Sequence, residues 1–169
     1  LTTLNQTNNS VSVRESHYLL TDFQKKIWDS MDCERLIGIS APTSAGKSFV
    51  ILLKILSKLC LESFDVVYIV PTLSLLNQVS EDFNSTILQL NISNCIVSNS
   101  YVESSASSVN TIYVLTQEKA ISAFGDERNT FTKDIVLVAD EIQNIERIKE
   151  DDDESCLLYT SDAADDRIS

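Results

Sequence analysis

Three short segments constrain the fold of this chain more than any others: DVVYIV (Asp65–Val70), TIYVLT (Thr111–Thr116) and DIVLVADE (Asp134–Glu141). Each carries an unbroken apolar run rich in valine and isoleucine. None shows the polar alternation of a strand with one wet face. Strands of this kind are covered on both sides, which is the signature of a parallel sheet with helices on each face. RLIGIS (Arg35–Ser40) reads as a further buried strand and NCIVS (Asn94–Ser98) as a weaker one.

The segments between them have helical period. Thr21 and Gln24 have capping-box spacing, and Phe23, Ile27 and Met31 then fall on one face. Phe49, Leu52, Leu53, Leu56 and Leu59 mark a second helix running to about Leu61. Pro71 opens a third, with Leu73, Leu76, Val79, Phe83 and Ile87 in register, and QEKAISAF forms a short fourth. The 169 residues suffice for one domain with a sizeable core. The expectation is a three-layer α/β domain with a mostly parallel central sheet, occupying residues 21–149 and incomplete at its C-terminus. A polar segment, 1–20, precedes it, and an acidic tail, 150–169, follows.

Between the first strand and the second helix stands APTSAGKS (Ala41–Ser48). A strand-to-helix turn can hold a phosphate if its backbone N–H groups point inward and no side chain intrudes. Ala41, Thr43, Ser44, Ala45 and Gly46 are small enough for that, and Gly46 tolerates unusual dihedrals. The helix N-terminus adds partial positive charge. Lys47 can reach the outer phosphates, and Ser48 places a hydroxyl where Mg²⁺ would bind. This is the P-loop pattern with Ala41 in place of its first glycine. A plain helix-capping turn with a chance lysine is the competing reading.

A second half of the pattern decides between them. The strand IVLVA ends in Asp140 and Glu141. Asp140 is suited to the Mg²⁺ shell, and Glu141 to orienting or deprotonating an attacking water. An Asp-Glu pair alone would be read as acids favouring a helix N-terminus. After an apolar strand and downstream of a phosphate loop, the two halves point to nucleotide hydrolysis with catalytic candidates Lys47, Asp140 and Glu141.

Composition excludes other classes. The cysteines, Cys33, Cys60, Cys95 and Cys156, form no CxxC pair, and His17 is the single histidine, so zinc is not expected. Buried, reduced thiols are the expectation. No apolar run approaches the ~20 residues of a membrane helix. The polar start LTTLNQTNNSVSV has no signal-peptide character and no initiator Met, so an intracellular, cytoplasmic location is expected and residue 1 is not expected to be the start of the gene product. Net charge is −12, but eight of the 25 acids lie in 150–169, so the body is only mildly acidic and charge does not exclude a phosphate-backbone ligand.

The order of segments resembles superfamily 2 helicases, the DEAD/DExH-type ATPases, over roughly Thr21 to Gln143. APTSAGKS looks like their motif I, and DEIQ (Asp140–Gln143) like motif II, with Gln143 where Asp or His is usual. VPTLSLLNQ (Val70–Gln78) is similar to motif Ia, and VLTQEKA (Val114–Ala120) to a later motif in which Lys119 stands where arginine is common. The resemblance implies a RecA-like ATP-binding domain using ATP and Mg²⁺. It implies that Gln24 reads adenine. It further implies that Pro71, Thr72, Ser74, Gln78 and Thr116 meet an RNA or DNA backbone, and that a second RecA-like domain follows in the same parent chain. Alternatives of other kinds are the motor subunit of a restriction or defence system and a nucleotide-binding switch without productive turnover.

The tail stands apart. EDDDES is an acidic run, and CLLYTSDAADD has neither helical nor strand period. Cys156 to Asp166 resembles the conceptual translation of a transposon-derived sequencing adapter, so the sequence from 156 is expected to be non-native. The motif typified by S-A-T is expected where this tail stands.

Overall fold

A computed structural model describes residues 8–33, 36–41, 46–101, 108–128, 133–140 and 156–162. A six-stranded, wholly parallel sheet organises them. Its strands are β3 (Leu36–Ala41), β4 (Asp65–Val70), β5 (Cys95–Ser98), β6 (Asn110–Thr116), β7 (Ile135–Ala139) and β8 (Cys156–Asp162), in the order β3-β8-β7-β4-β6-β5. Four helices connect or flank them: α1 (Asp22–Cys33), α2 (Lys47–Leu59), α3 (Leu73–Gln89) and α4 (Gln117–Gly125).

The unbroken apolar strands do face two ways. In β4, Val66, Tyr68 and Val70 join the larger core beneath α1, α2 and α3. Val67 and Ile69 join Tyr113, Leu115 and Ala120 in a smaller core on the other face, against α4. Helix, sheet and helix make the three layers expected of a RecA-like domain. Val50, Leu53, Leu56 and Leu59 of α2 and Phe83 of α3 are fully buried in the larger core. Burying a side chain of that size contributes about 1.5–3 kcal/mol.

Parallel pairing puts every strand's C-terminal end at one edge of the sheet. Val70 lies beside Thr116 and Ile69 beside Ala139. Asp140 N–H donates to the Ile69 carbonyl at 3.1 Å, extending the ladder one residue past β7. Ala41, Pro71-Thr72, Thr116 and Asp140, which end or follow their strands, therefore share that edge.

Three expectations are corrected. Residues 1–20 are not merely a polar segment: β1 (Ser10–Val13) and β2 (Ser16–Leu19) form an antiparallel hairpin. Val11, Val13 and the following Leu20 are buried, so alternate apolar residues seal the core beside α2. The turn runs through Arg14 at φ 54°, a left-handed conformation that arginine does not advertise in sequence. CLLYTSD is a strand despite its lack of alternation. β8 pairs in parallel with β3 on one side and with β7 on the other. Cys33 is exposed rather than buried. Cys95 fits the expectation, since burial, with smaller contributions from Cys60 and Asp65, pushes its thiol up to about 12. The second helix ends at Leu59, with Cys60 as its C-cap.

Candidate active site

The capping box expected at Thr21 is formed in both directions. Thr21 N–H donates to Gln24 Oε1 at 3.0 Å, and Gln24 N–H donates to Thr21 Oγ1 at 3.2 Å. This holds the Gln24 amide at the head of α1, and its Nε2 donates to the Gly46 carbonyl at 3.2 Å. The first helix is thereby tied to the loop that precedes the second.

Gly46 is the N-cap of α2, with φ 70° and ψ 28°. That left-handed conformation favours glycine. A Cβ at this position would also collide with Gln24 Nε2. The left-handed backbone is what calls for glycine; the close contact is with the movable end of Gln24, which would have to give up its bond to the Gly46 carbonyl. The conformation brings the first turn of α2, beginning at Lys47, under the end of the sheet.

Lys47 is 2% exposed. Burying an ammonium is costly unless an anion faces it, and Asp140 Oδ1 lies 4.0 Å from its Nζ. Ser48 Oγ donates to Asp140 Oδ2 at 3.2 Å. Tyr68, from the middle of β4, donates its hydroxyl to the same Oδ2 at 2.9 Å. Lys47 and Ser48 thus meet Asp140, 92 or more residues away in the sequence, at one point. A buried cation, a hydroxyl and a carboxylate beside a helix N-terminus are the groups that an anion accompanied by a hard cation requires.

The donor set fits such a cation in one particular way. Among the described residues there is no cluster of three or more His, Cys, Asp or Glu. One hydroxyl and one carboxylate suit Mg²⁺, which keeps several waters and takes its remaining ligands from phosphate. Beside this point a cleft of about 240 Å³ runs between α2 and α3, lined by Ser48, Phe49, Leu52, Tyr68, Val79 and Asp82 among its residues. Burial, then the charge of Glu81, raises the Asp82 carboxyl above its ordinary value.

Other candidates divide. Pro71, Thr72, Ser74 and Gln78 are exposed along one end of α3. Thr72 is the N-cap, and its Oγ1 accepts from Leu75 N–H at 3.2 Å. Thr116, the N-cap of α4, is 8% exposed and makes no side-chain capping bond. Lys119 Nζ, one turn later, donates to the Asn99 carbonyl at 3.0 Å. Ala41 closes β3. Thr43, Ser44, Ala45, Glu141 and Gln143 lie outside the described residues. Tyr68 was read from sequence only as strand core. The signal that marks it is chemical: a tyrosine inside a buried strand must find a partner for its hydroxyl.

No curated protein matches the chain. Residues 21–161 match the family model described as DEAD/DEAH box helicase. That span runs from the capping threonine of α1 through the meeting point of Lys47, Ser48 and Asp140, and on this match the chain belongs to the DEAD/DEAH box helicase family.

Proposed function

We propose that the chain is the ATP-binding and ATP-hydrolysing motor domain of a superfamily 2 nucleic-acid helicase or translocase acting inside the cell. The observation that carries this reading is the convergence of Lys47 and Ser48 on Asp140 at the C-terminal edge of a parallel sheet.

In this reading Lys47 exchanges Asp140 for the outer phosphates of ATP. The amides of Ala41 through Gly46 and of the first turn of α2 wrap the phosphate chain, with Thr43, Ser44 and Ala45 as its small-residue wall. Ser48 and Asp140 hold Mg²⁺, which when bound neutralises phosphate charge as a Lewis acid. Glu141 orients the attacking water and takes its proton. Gln24 meets adenine through its second N–H and second lone pair, keeping its ties to Thr21 and Gly46.

Pro71, Thr72, Ser74 and Gln78 contact an RNA or DNA backbone at the exposed start of α3, with Thr116 supporting the neighbouring turn. Contacts of this type position a strand without reading its sequence. A second RecA-like domain in the parent chain closes over the nucleotide and couples hydrolysis to movement. The sequence from Cys156 is read as translated adapter, standing where the native chain carries the strand that leads into its S-A-T motif. Sequencing the source locus across the codons for 150–169 tests that directly: a frame that encodes CLLYTSDAADDRIS and stops removes the adapter reading.

The decisive experiment on the site is Lys47→Ala. MgATP binding by the 169-residue chain is expected to fall below detection while far-ultraviolet circular dichroism stays unchanged. Equal MgATP affinity in wild type and variant would remove the phosphate-loop assignment. In the two-domain parent, Glu141→Gln is expected to bind ATP normally and to lose turnover by 10²-fold or more, on the order expected for removal of a general base. Normal turnover there would take Glu141 out of the mechanism.

A further inference from the structure

We infer that Tyr68 is a positioning residue for Asp140, fixing the carboxylate so that the Mg²⁺-dependent part of nucleotide binding depends on the Tyr68 hydroxyl. This rests on the nucleotide-site reading above.

Tyr68 occupies the centre of β4, and its side chain is among the largest fully buried ones. The ring packs edge-on against Phe83 of α3, with centroids 5.8 Å apart and planes at 78°. Sheet and helix thus clamp the ring, which leaves the hydroxyl little freedom. It donates to Asp140 Oδ2 at 2.9 Å, a charge-assisted bond. β7 sets the Asp140 backbone, and β4 pairs directly with β7. Donor and acceptor therefore ride on adjacent strands of one rigid sheet.

The two hydroxyl donors to Oδ2 differ in kind. Ser48 stands on the first turn of α2, one residue past Lys47. Its oxygen is also the one expected to meet the cation. Tyr68 has no such second duty, so its bond persists while Ser48 adjusts. With Oδ2 held from beneath, Oδ1 is the oxygen turned toward Lys47. The phenol fixes which carboxylate oxygen faces the ligand. Bonds of this supporting type around metal-binding carboxylates are worth about 10–100-fold in metal affinity.

The test is Tyr68→Phe in the full chain, read by the binding of a fluorescent ATP analogue during Mg²⁺ titration and again in excess chelator. Phenylalanine keeps the ring, its burial and its contact with Phe83. The Mg²⁺ midpoint is expected to rise by about tenfold, with affinity in chelator and thermal unfolding unchanged. Tyr68→Met, of similar bulk and also without a donor, is expected to give the same shift and serves if the phenylalanine variant does not fold. A midpoint within twofold of wild type overturns the inference. So does an equal loss of affinity with and without Mg²⁺, which would mark a packing role. If the wild-type chain binds no nucleotide in a Mg²⁺-dependent way, the site reading itself fails. That outcome is distinct from a wild-type response that Tyr68→Phe leaves untouched.

Discussion

Two strand-to-helix turns at the same sheet edge solve the same problem in opposite ways. Every helix begins with four backbone N–H groups that lack partners within the helix. At the start of α3 the chain supplies a partner itself: Thr72 Oγ1 accepts from Leu75 N–H. At the start of α2 it does not, because the N-cap is Gly46, which has no side chain to offer. The self-capped turn is a stable structural joint. The turn at Gly46 carries no side-chain cap bond, and beside it Lys47 is buried with its Nζ 4.0 Å from Asp140 Oδ1. In the proposed reading, the binding turn is the one where the chain withholds its own cap.

Among changes to the caps of the two turns, the largest expected effect comes from placing an ordinary residue at Gly46. Gly46→Ala places a Cβ on Gln24 Nε2 and holds alanine at φ 70°. A left-handed L-residue costs about 1–2 kcal/mol, and relief requires breaking the Gln24–Gly46 bond. The variant is expected to lose nucleotide affinity by more than tenfold and to melt earlier. A Gly46→Ala protein with wild-type melting and nucleotide affinity would show that the left-handed cap is incidental.

Removing the cap from the self-capped turn should have a smaller and different effect. Thr72→Ala is expected to cost about 1 kcal/mol of stability, the usual loss for an N-cap threonine. Nucleotide affinity should stay at the wild-type value. Chemical denaturation and nucleotide titration on the same sample check both halves. If Thr72→Ala weakens nucleotide binding as strongly as Gly46→Ala does, the contrast between the two turns collapses.

The two turns also differ in how readily sequence discloses them. Pro71-Thr72 before an apolar-periodic run announces a helix start, and the helix begins two residues after Pro71, at Leu73, with Thr72 as its N-cap. APTSAGKS announces a phosphate loop through residue types whose chemistry is local. Asp140 stands out only because its apolar strand lies downstream of APTSAGKS; alone it would pass for an acid at a helix start. The strands β4 and β6 were legible because burial on both faces leaves a continuous apolar run. What sequence did not show depends on contacts between distant segments. The link from Gln24 to Gly46 and the bond from Tyr68 to Asp140 join residues 22 and 72 positions apart, and no local pattern encodes either. The hairpin of β1 and β2 was missed because its turn uses Arg14 where glycine or asparagine would have signalled it. β8 was missed because its pairing with β3 and β7 joins distant segments, which no local pattern encodes.

The smallest expected effect concerns what braces the uncapped turn from outside. Asp32 at the end of α1 accepts from Lys54 Nζ of α2 at 2.7 Å and lies 3.5 Å from Lys58 Nζ. Lys54 Nζ also stands 4.3 Å from the Trp28 ring centroid. These contacts hold α1 against α2, and so hold Gln24 over Gly46. Burial alone would raise the Asp32 carboxyl, but the hydrogen bond and charge of Lys54, with Lys58, outweigh it and bring the value below the ordinary 3.8. A depressed folded-state value stabilises the fold above the unfolded-state value and ceases to do so as pH falls through the folded one. The Asp32 side chain is 53% exposed, so solvent screening limits the contribution. Asp32→Asn is therefore expected to cost less than about 1 kcal/mol at neutral pH. The gap between variant and wild type should begin to close as pH falls below about 4, the ordinary aspartate value, and vanish once pH has passed the lower folded value. A gap that stays constant through the whole acid series, measured by thermal unfolding, would mean that Asp32 braces the helices by its shape and not by its charge.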